Sequence, residues 1–415
     1  MPAPDHQPAD KPPGLRDPVL MALMVATFSG SLAMMAFVAL VGPVARVAGL
    51  APWQAGMAVT ASGIMWMLGA RPWGLASDRL GRRRVLVLGA AGFTLAYWAL
   101  CLIIDAALRW QLPVWLAFAG LVIGRAAVGG TYAAIPAASG ALIADRVAPA
   151  HRAGAMALLG TGSGAGLVLG PALAAALVPY GLSTPLLVTA LLPLVALVAI
   201  ATLVPVQAQQ PRPARKAISL RDPRLRHPLA IGFSAMFSVA IAQVSIGFFA
   251  LDRLGLPPEA AAQAAGSALM LVGIALVISQ AIATRLRLPP RVMIGWGAAV
   301  AGLGFGAVSL AQDTTMLGAC YFVAATGMGW VFPAFQAMTA NAVEPGEQGG
   351  AAGAAGAAQG LGMVVGPVAG SILYMAGPSL PYLLVGALLL AASASVWLTR
   401  APRGGPPLAR PGPGA

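Results

Sequence analysis

The chain has 415 residues, of which 59% are hydrophobic and 9% charged, with a net charge of +13 at neutral pH. A soluble domain spends about a quarter of its residues on charge, so this composition excludes a water-soluble globule and makes the bilayer the solvent. The basic residues sit in short loops between apolar runs, as topology signals and lipid-headgroup contacts do, which argues against nucleic acid as a partner.

In chain order, residues 1–18 are polar and proline-rich and read as a cytoplasmic tail, because the first apolar run lies too far from the start for a cleaved signal. Runs of spanning length follow at 19–44, 55–76, 84–107, 112–145, 152–180 and 183–205. A second set lies at 226–251, 260–284, 291–311, 314–343, 349–377 and 379–400. The polar, basic, proline-containing stretch 207–226 between them reads as a cytoplasmic tether. This predicts a six-helix bundle over 19–206, another over 227–400, and a cytoplasmic tail over 401–415. All but four of the 25 Lys and Arg fall on the side of the termini; Arg46, Arg109 and Arg253 lie opposite, and Arg125 lies inside the fourth run. The positive-inside rule therefore places both termini and the tether in the cytoplasm.

An internal repeat supports the division. With Ala141 laid on Ala337, Asp145 meets Asn341, Val147 meets Val343 and Pro149 meets Pro345. At the same offset Gly166, Gly170 and Pro171 fall on Gly362, Gly366 and Pro367. The expected fold is an all-α membrane protein of twelve transmembrane helices, in two six-helix bundles related by a parallel pseudo-twofold repeat. That arrangement places a substrate site between the halves near mid-membrane.

Cys101 and Cys320 lie in apolar segments, and His6, His151 and His227 are scattered, so neither a disulfide framework, a metal site nor a cofactor is indicated. No nucleophile, base and orienting acid are grouped, which argues against an enzyme.

Between the second and third runs stands Gly74-Leu-Ala-Ser-Asp78-Arg79-Leu-Gly81-Arg82-Arg83-Arg84. Read as a tight turn, it uses Gly74 and Gly81 for close backbone approach or unusual dihedrals, while Asp78 accepts from arginines or a helix amino end. Such a turn is a latch for one face of a transporter; the alternative, favoured for Arg83 and Arg84, is a basic stop signal. Asp145 and Arg152 at the same end are expected to join Asp78 and Arg82 in a charge cluster that forms in one conformation and parts in the other. Solvated loop charge is the alternative. Asn341 and Gln348 at the repeat positions cannot reproduce the cluster, so the latch is asymmetric. Arg125 is the formal charge placed well inside a span, where it either faces a cavity or is neutralised by backbone carbonyls. Gly162, Gly166 and Gly170 recur at every fourth position, forming a stripe for close helix packing, and Pro171 removes a backbone hydrogen bond behind it.

The run from Gly74 to Arg83 resembles the G-x-x-x-D-R-x-G-R-R signature of the major facilitator superfamily. Leu121-Val-Ile-Gly-Arg125-Ala-Ala-Val-Gly129-Gly130 resembles that family's arginine-glycine motif of the fourth span, and Gly162 to Pro171 resembles the G-x-x-x-G-P motif of its antiporter branch. With Asp145 and Arg152, the chain is similar to the twelve-helix drug:proton antiporters, multidrug and tetracycline exporters among them.

The resemblance implies a gating latch of Gly74, Asp78, Arg79, Gly81, Arg82, Asp145 and Arg152, and a part in proton coupling for Arg125. It implies that the Gly162, Gly166, Gly170 and Pro171 helix seals the cavity against leak, with Gly362, Gly366 and Pro367 matching it. Family architecture lines the pathway with the first, fourth, seventh and tenth spans, so Ser31, Met34, Met35, Tyr132, Gln243, Phe248, Trp330, Phe335 and Gln336 are candidate cavity residues, packing being the alternative for each. Aromatics, Met and amides suit a bulky, partly apolar or zwitterionic solute better than a sugar phosphate or inorganic anion. Acids are confined to helix ends and loops, Asp105, Asp252, Glu259 and Asp313 among them, and the first run contains none, so the proton carrier is unassigned. The expected activity is proton-coupled efflux of a small amphipathic molecule across the inner membrane by alternating access, by a monomer whose partners are its substrate, protons and membrane lipid. Export of an endogenous siderophore or metallophore, import of a nutrient, and a non-transporting sensor remain as alternatives.

Overall fold

In a solvent that offers no hydrogen bonds, an apolar segment must satisfy its own backbone, and a helix does so within one segment. The computed structural model describes residues 17–148, 151–206, 222–286, 288–344 and 347–398; the outer tails and 207–221 of the expected tether lie outside them. The helices of the first half are α1 (Pro18–Val47), α2 (Pro52–Leu80), α3 (Arg82–Trp110), α4 (Val114–Tyr132), α5 (Ala134–Arg146), α6 (Arg152–Leu177), α7 (Thr184–Thr189) and α8 (Leu191–Leu203). Those of the second are α9 (Arg226–Asp252), α10 (Pro258–Leu286), α11 (Pro290–Val308), α12 (Thr314–Asn341), α13 (Gln348–Ala376) and α14 (Leu380–Leu398). No strand occurs among the described residues. α4 with α5, stepped at Ala133, and α7 with α8, stepped at Ala190, each form one crossing, so these helices make twelve spans.

Caps explain several starts. The Asp17 carboxylate accepts from the amides of Val19 and Leu20 at 2.8 and 3.3 Å with Pro18 behind it, and Asp313 accepts from Met316 N at 2.7 Å to open α12. Eleven spans are long and apolar enough to cross a membrane; α2 is the exception. Its small and polar residues serve protein contacts: Thr60 donates to the Val364 carbonyl at 2.7 Å, and Gly63 lies against the same residue.

Within each half the packing repeats. α6 lies along α1 because a Cβ on Gly162, Gly166 or Gly170 would stand 2.6 Å from the carbonyl of Met24, Phe28 or Leu32 respectively. α13 lies along α9 in the same way, with Gly362 and Gly366 on the carbonyls of Phe233 and Phe237 at 2.7 and 3.0 Å. Only residues without a side chain permit helices this close.

The two halves meet along a pair of matching seams. A Cβ on Gly266 of α10 would stand 2.7 Å from the Pro171 carbonyl of α6, and Gly273 about two turns further meets Val168. Reciprocally, Gly56 of α2 meets the Pro367 carbonyl of α13 at 2.6 Å, and Gly63 meets Val364. α1 and α9 cross where Gly42 faces the backbone of Gly247 and Phe248 at 2.9 Å, and near their ends Arg46 donates to Asp252 at 2.7 Å. These contacts all lie from mid-height to the end remote from the termini. At the terminal end, α5 packs on α1 to α4 and α6, and α12 on α9, α10, α11 and α13, partners within the same half.

Candidate functional site

At the terminal end of the first half the expected loop is absent. α2 runs to Leu80 and α3 begins at Arg82, so Gly81 alone turns the chain, at φ 92°, a conformation that favours glycine. Gly74 is inside α2, with open space where its Cβ would be, and the close approach expected of it does not occur in this state. Continuing the helix satisfies backbone groups that a longer loop would leave unpaired.

Arg82 is the hub of this end. Its side chain is 8% exposed; Nε donates to Asp145 Oδ2 at 2.9 Å, and Nη1 donates to Ser77 Oγ at 3.0 Å and to Asp78. Spans two, three and four are thereby tied together within one half. Arg152 is placed differently from the expected cluster: Nε and Nη2 donate to the carbonyls of Val147 and Ala144 at 3.0 and 2.9 Å, closing the end of α5. Arg79 lies on the exposed last turn of α2.

The second half has its own cluster at this end, which the repeat positions Asn341 and Gln348 did not suggest. Arg224 donates to Asp222 at 2.8 Å and to Glu347 at 2.9 Å, joining the start of α9 to the start of α13. The hydrogen bond from Arg224 is the main cause holding both carboxyls below their ordinary range.

At mid-height between the halves lies a cavity of about 330 Å³. Ser31, Met34 and Met35 reach it from α1, Trp66 from α2, Arg125 and Tyr132 from α4, Leu167 from α6, Gln243 from α9 and Met363 from α13. A neighbouring cavity of about 230 Å³ shares Met35, Leu167, Gln243 and Met363 and extends into the second half past Met236, Tyr321 and Met328. Size and lining are those of a small-molecule site: mostly apolar, with a few polar groups to orient the guest.

Of the expected cavity residues, Ser31, Met34, Met35, Tyr132 and Gln243 are brought together here. The other four are elsewhere. Phe248 and Phe335 are fully packed, the first beside Tyr374 and the second against Gly232. Trp330 donates its Nε1 to the Ser279 carbonyl at 3.2 Å, and Gln336 lines a separate recess of about 550 Å³ with Gln280 and Phe332. Trp66 and Met363 went unread because they belong to the second and eleventh spans, outside the four assigned to the pathway.

Arg125 is 3% exposed, with its guanidinium 4.3 Å from the centre of the Phe37 ring. That contact stabilises a cation by about 2 kcal/mol when water is excluded. Nε and Nη1 are nevertheless buried without a hydrogen-bond partner, so the backbone neutralisation left open by the sequence does not reach them. Close packing fixes its helix, since Gly129 abuts the backbone of Ser62 and Gly124 abuts Leu100. Among the described residues no Asp or Glu lines either cavity. Among the described residues no three His, Cys, Asp or Glu are grouped to hold a metal.

Two rod bundles around a mid-height cavity, each half repeating the packing of the other, agree with the sequence comparison. The Major Facilitator Superfamily profile matches residues 22–287 and again 260–414. The chain belongs to the Major Facilitator Superfamily. This superfamily member is therefore a multi-pass membrane transporter and not an enzyme. It is 28% identical over 332 residues to the class C tetracycline resistance protein of Escherichia coli, covering 76% of this chain and 78% of that one. The class G tetracycline resistance protein of Vibrio anguillarum is 28% identical over 335 residues, covering 75% and 78%. In structure, the chain is similar to a bacterial homolog of the human lysosomal transporter Spinster in an inward-facing, occupied conformation. The TM-score is 0.72 at 15% identity, over 94% of this chain and 97% of that one, a likeness of fold.

Proposed function

We propose that this transporter exports a small amphipathic molecule from the cytoplasm across the inner membrane by alternating access, in exchange for protons. The observation that carries the reading is the apolar, mid-height cavity between the two halves, beside the glycine seams that join them toward the end remote from the termini. The two tetracycline resistance relatives support an export direction. With both termini cytoplasmic, as the basic residues of the chain argue, the seams lie toward the outer face, which supports reading this as an inward-facing state.

In this reading the charge cluster around Arg82, with Gly74, Asp78, Arg79, Gly81, Asp145 and Arg152, sets the balance between inward- and outward-facing states. Gly162, Gly166, Gly170 and Pro171, with Gly362, Gly366 and Pro367, keep the helices that seal the cavity close to their partners. Arg125 stands where cargo and proton movement meet, and the monomer is the working unit.

The test is transport of tetracycline into everted membrane vesicles that carry the protein. Accumulation driven by an acid-inside pH gradient and abolished by a protonophore is the expected result. Vesicles with correctly inserted protein and no gradient-dependent uptake of tetracycline or of a panel of amphipathic compounds overturn the efflux reading. Asp78→Asn should lower the rate several-fold without reducing insertion, and normal transport by that variant removes the latch role.

A further inference from the structure

Among the described residues the cavity wall contains one permanent charge, Arg125, and no carboxylate to pair with it. Arginine stays protonated at any physiological pH, and two of the Arg125 nitrogens are buried without a partner. Every other lining group is apolar or neutral. A buried cation with unmade hydrogen bonds is expensive in low dielectric, and an anion that accepts from its planar fork removes that cost at the moment of binding. The geometry points to a cargo class: an amphipathic organic anion, whose carboxylate, sulfonate or comparable oxyanion is held by Arg125 while its apolar body lies against Met35, Trp66, Leu167 and Met363.

The assignment rests on the export reading for its direction, though not for its chemistry. Phe37 supports it from behind. The ring centre lies 4.3 Å from the guanidinium carbon, a cation–π contact that holds the charge at the cavity wall without supplying a hydrogen-bond acceptor. The charged groups on the elements packed around α4 are Arg71, Asp78 and Arg79 on α2, Arg82, Arg83, Arg84, Asp105 and Arg109 on α3, Asp145 and Arg146 on α5, and Arg46 on α1. None of these carboxylates lines the cavity.

The experiment compares three probes that share one ring system: 2-naphthoate, neutral 2-naphthamide and cationic (2-naphthyl)trimethylammonium. Binding to the full chain in lipid nanodiscs is measured by equilibrium dialysis with no ion gradient. The naphthoate should bind at least about tenfold tighter than either control, as one charge-assisted contact in a dry site provides. Arg125→Lys should keep the order of the three, and Arg125→Met should erase it. Equal or tighter binding of the cation, no detectable binding of the naphthoate, or an unchanged preference in Arg125→Met overturns the proposal. Displacement of the naphthoate by millimolar chloride also overturns it, because Arg125 then holds only a counter-ion. The wild-type comparison needs no variant, so poor folding of Arg125→Met does not blunt it. Failure of gradient-driven uptake of tetracycline and of the whole amphipathic panel with the anion preference intact sinks the export reading alone, whereas efflux with a cation preference sinks this inference alone.

Discussion

Arg82 and Arg125 show how differently two arginines of one chain are used. Arg82 is enclosed and fully engaged by Asp78, Asp145 and Ser77, so losing one carboxylate leaves a half-paired cation near the membrane surface. Asp145→Asn should cost about 1–3 kcal/mol of stability, a magnitude suited to a charge-assisted bond, and a thermal-unfolding series against Asp78→Asn checks the ranking. Asp78 is the more exposed partner, at 54% against 21%, so its loss should cost less. The Arg224 cluster makes a pH prediction. Asp222 and Glu347 have lowered folded-state pKa values, so their contribution is present above the ordinary carboxylate range of about 4 and is lost as pH falls through the lower folded values. Proteolysis near 222 and 347 should quicken in that acid window, and Arg224→Ala should be fast already at neutral pH. At this scale Arg125 was legible as a functional candidate, since a lone charge in an apolar run is unusual. Its missing partners were not, because no sequence spacing reports which helices turn their faces toward it.

Among the helices, the glycine stripe at 162, 166 and 170 was readable because a four-residue period puts all three on one face. Its partner was readable only from the structure, which seats it on α1. The seam glycines are a harder case. The chain has 51 glycines, and nothing in sequence separates Gly56 and Gly266, each 2.6 to 2.7 Å by its Cβ from a proline carbonyl of the other half, from Gly353, beside which there is open space. Phe248 and Phe335 were misplaced for a related reason. α9 and α12 are apolar on nearly every face, so hydrophobic periodicity does not tell a cavity wall from a packed core. The seams predict that Gly266→Leu, with or without Gly56→Leu, prevents closure at the end remote from the termini. Spin labels at Gln111 and Arg253, both exposed at that end and in opposite halves, should then report a longer distance. An unchanged distance distribution would mean that the seam yields, and that closure is set elsewhere.

For the whole molecule, the twelve spans and the internal repeat were legible because spanning length and a constant offset survive any detail of packing. The state of the molecule was not, since the same sequence must support two. In the state seen here the remote end is held by the two glycine seams and by Arg46 on Asp252, an ion pair with 45% and 30% exposed side chains. A pair that open contributes about 0–1 kcal/mol, so Arg46→Ala should shift the balance between facing states by at most about fivefold.

The charge of the cargo has a larger consequence. Carrying one charge across a potential of 100 mV is worth about 2.3 kcal/mol, or about 1.7 decades of concentration. One proton entering for one neutral molecule leaving moves a single charge, and exchange for a monocation moves none. Exchange for a monoanion moves two, since a proton inward and an anion outward carry current in the same direction. In proteoliposomes with a potassium-valinomycin potential and no pH gradient, the steady-state gradient of naphthoate should therefore change by about 3.4 decades per 100 mV, twice the slope of a neutral cargo. A slope of half that value assigns export of the anion without a proton, and no slope at all contradicts the balance of charges that Arg125 imposes.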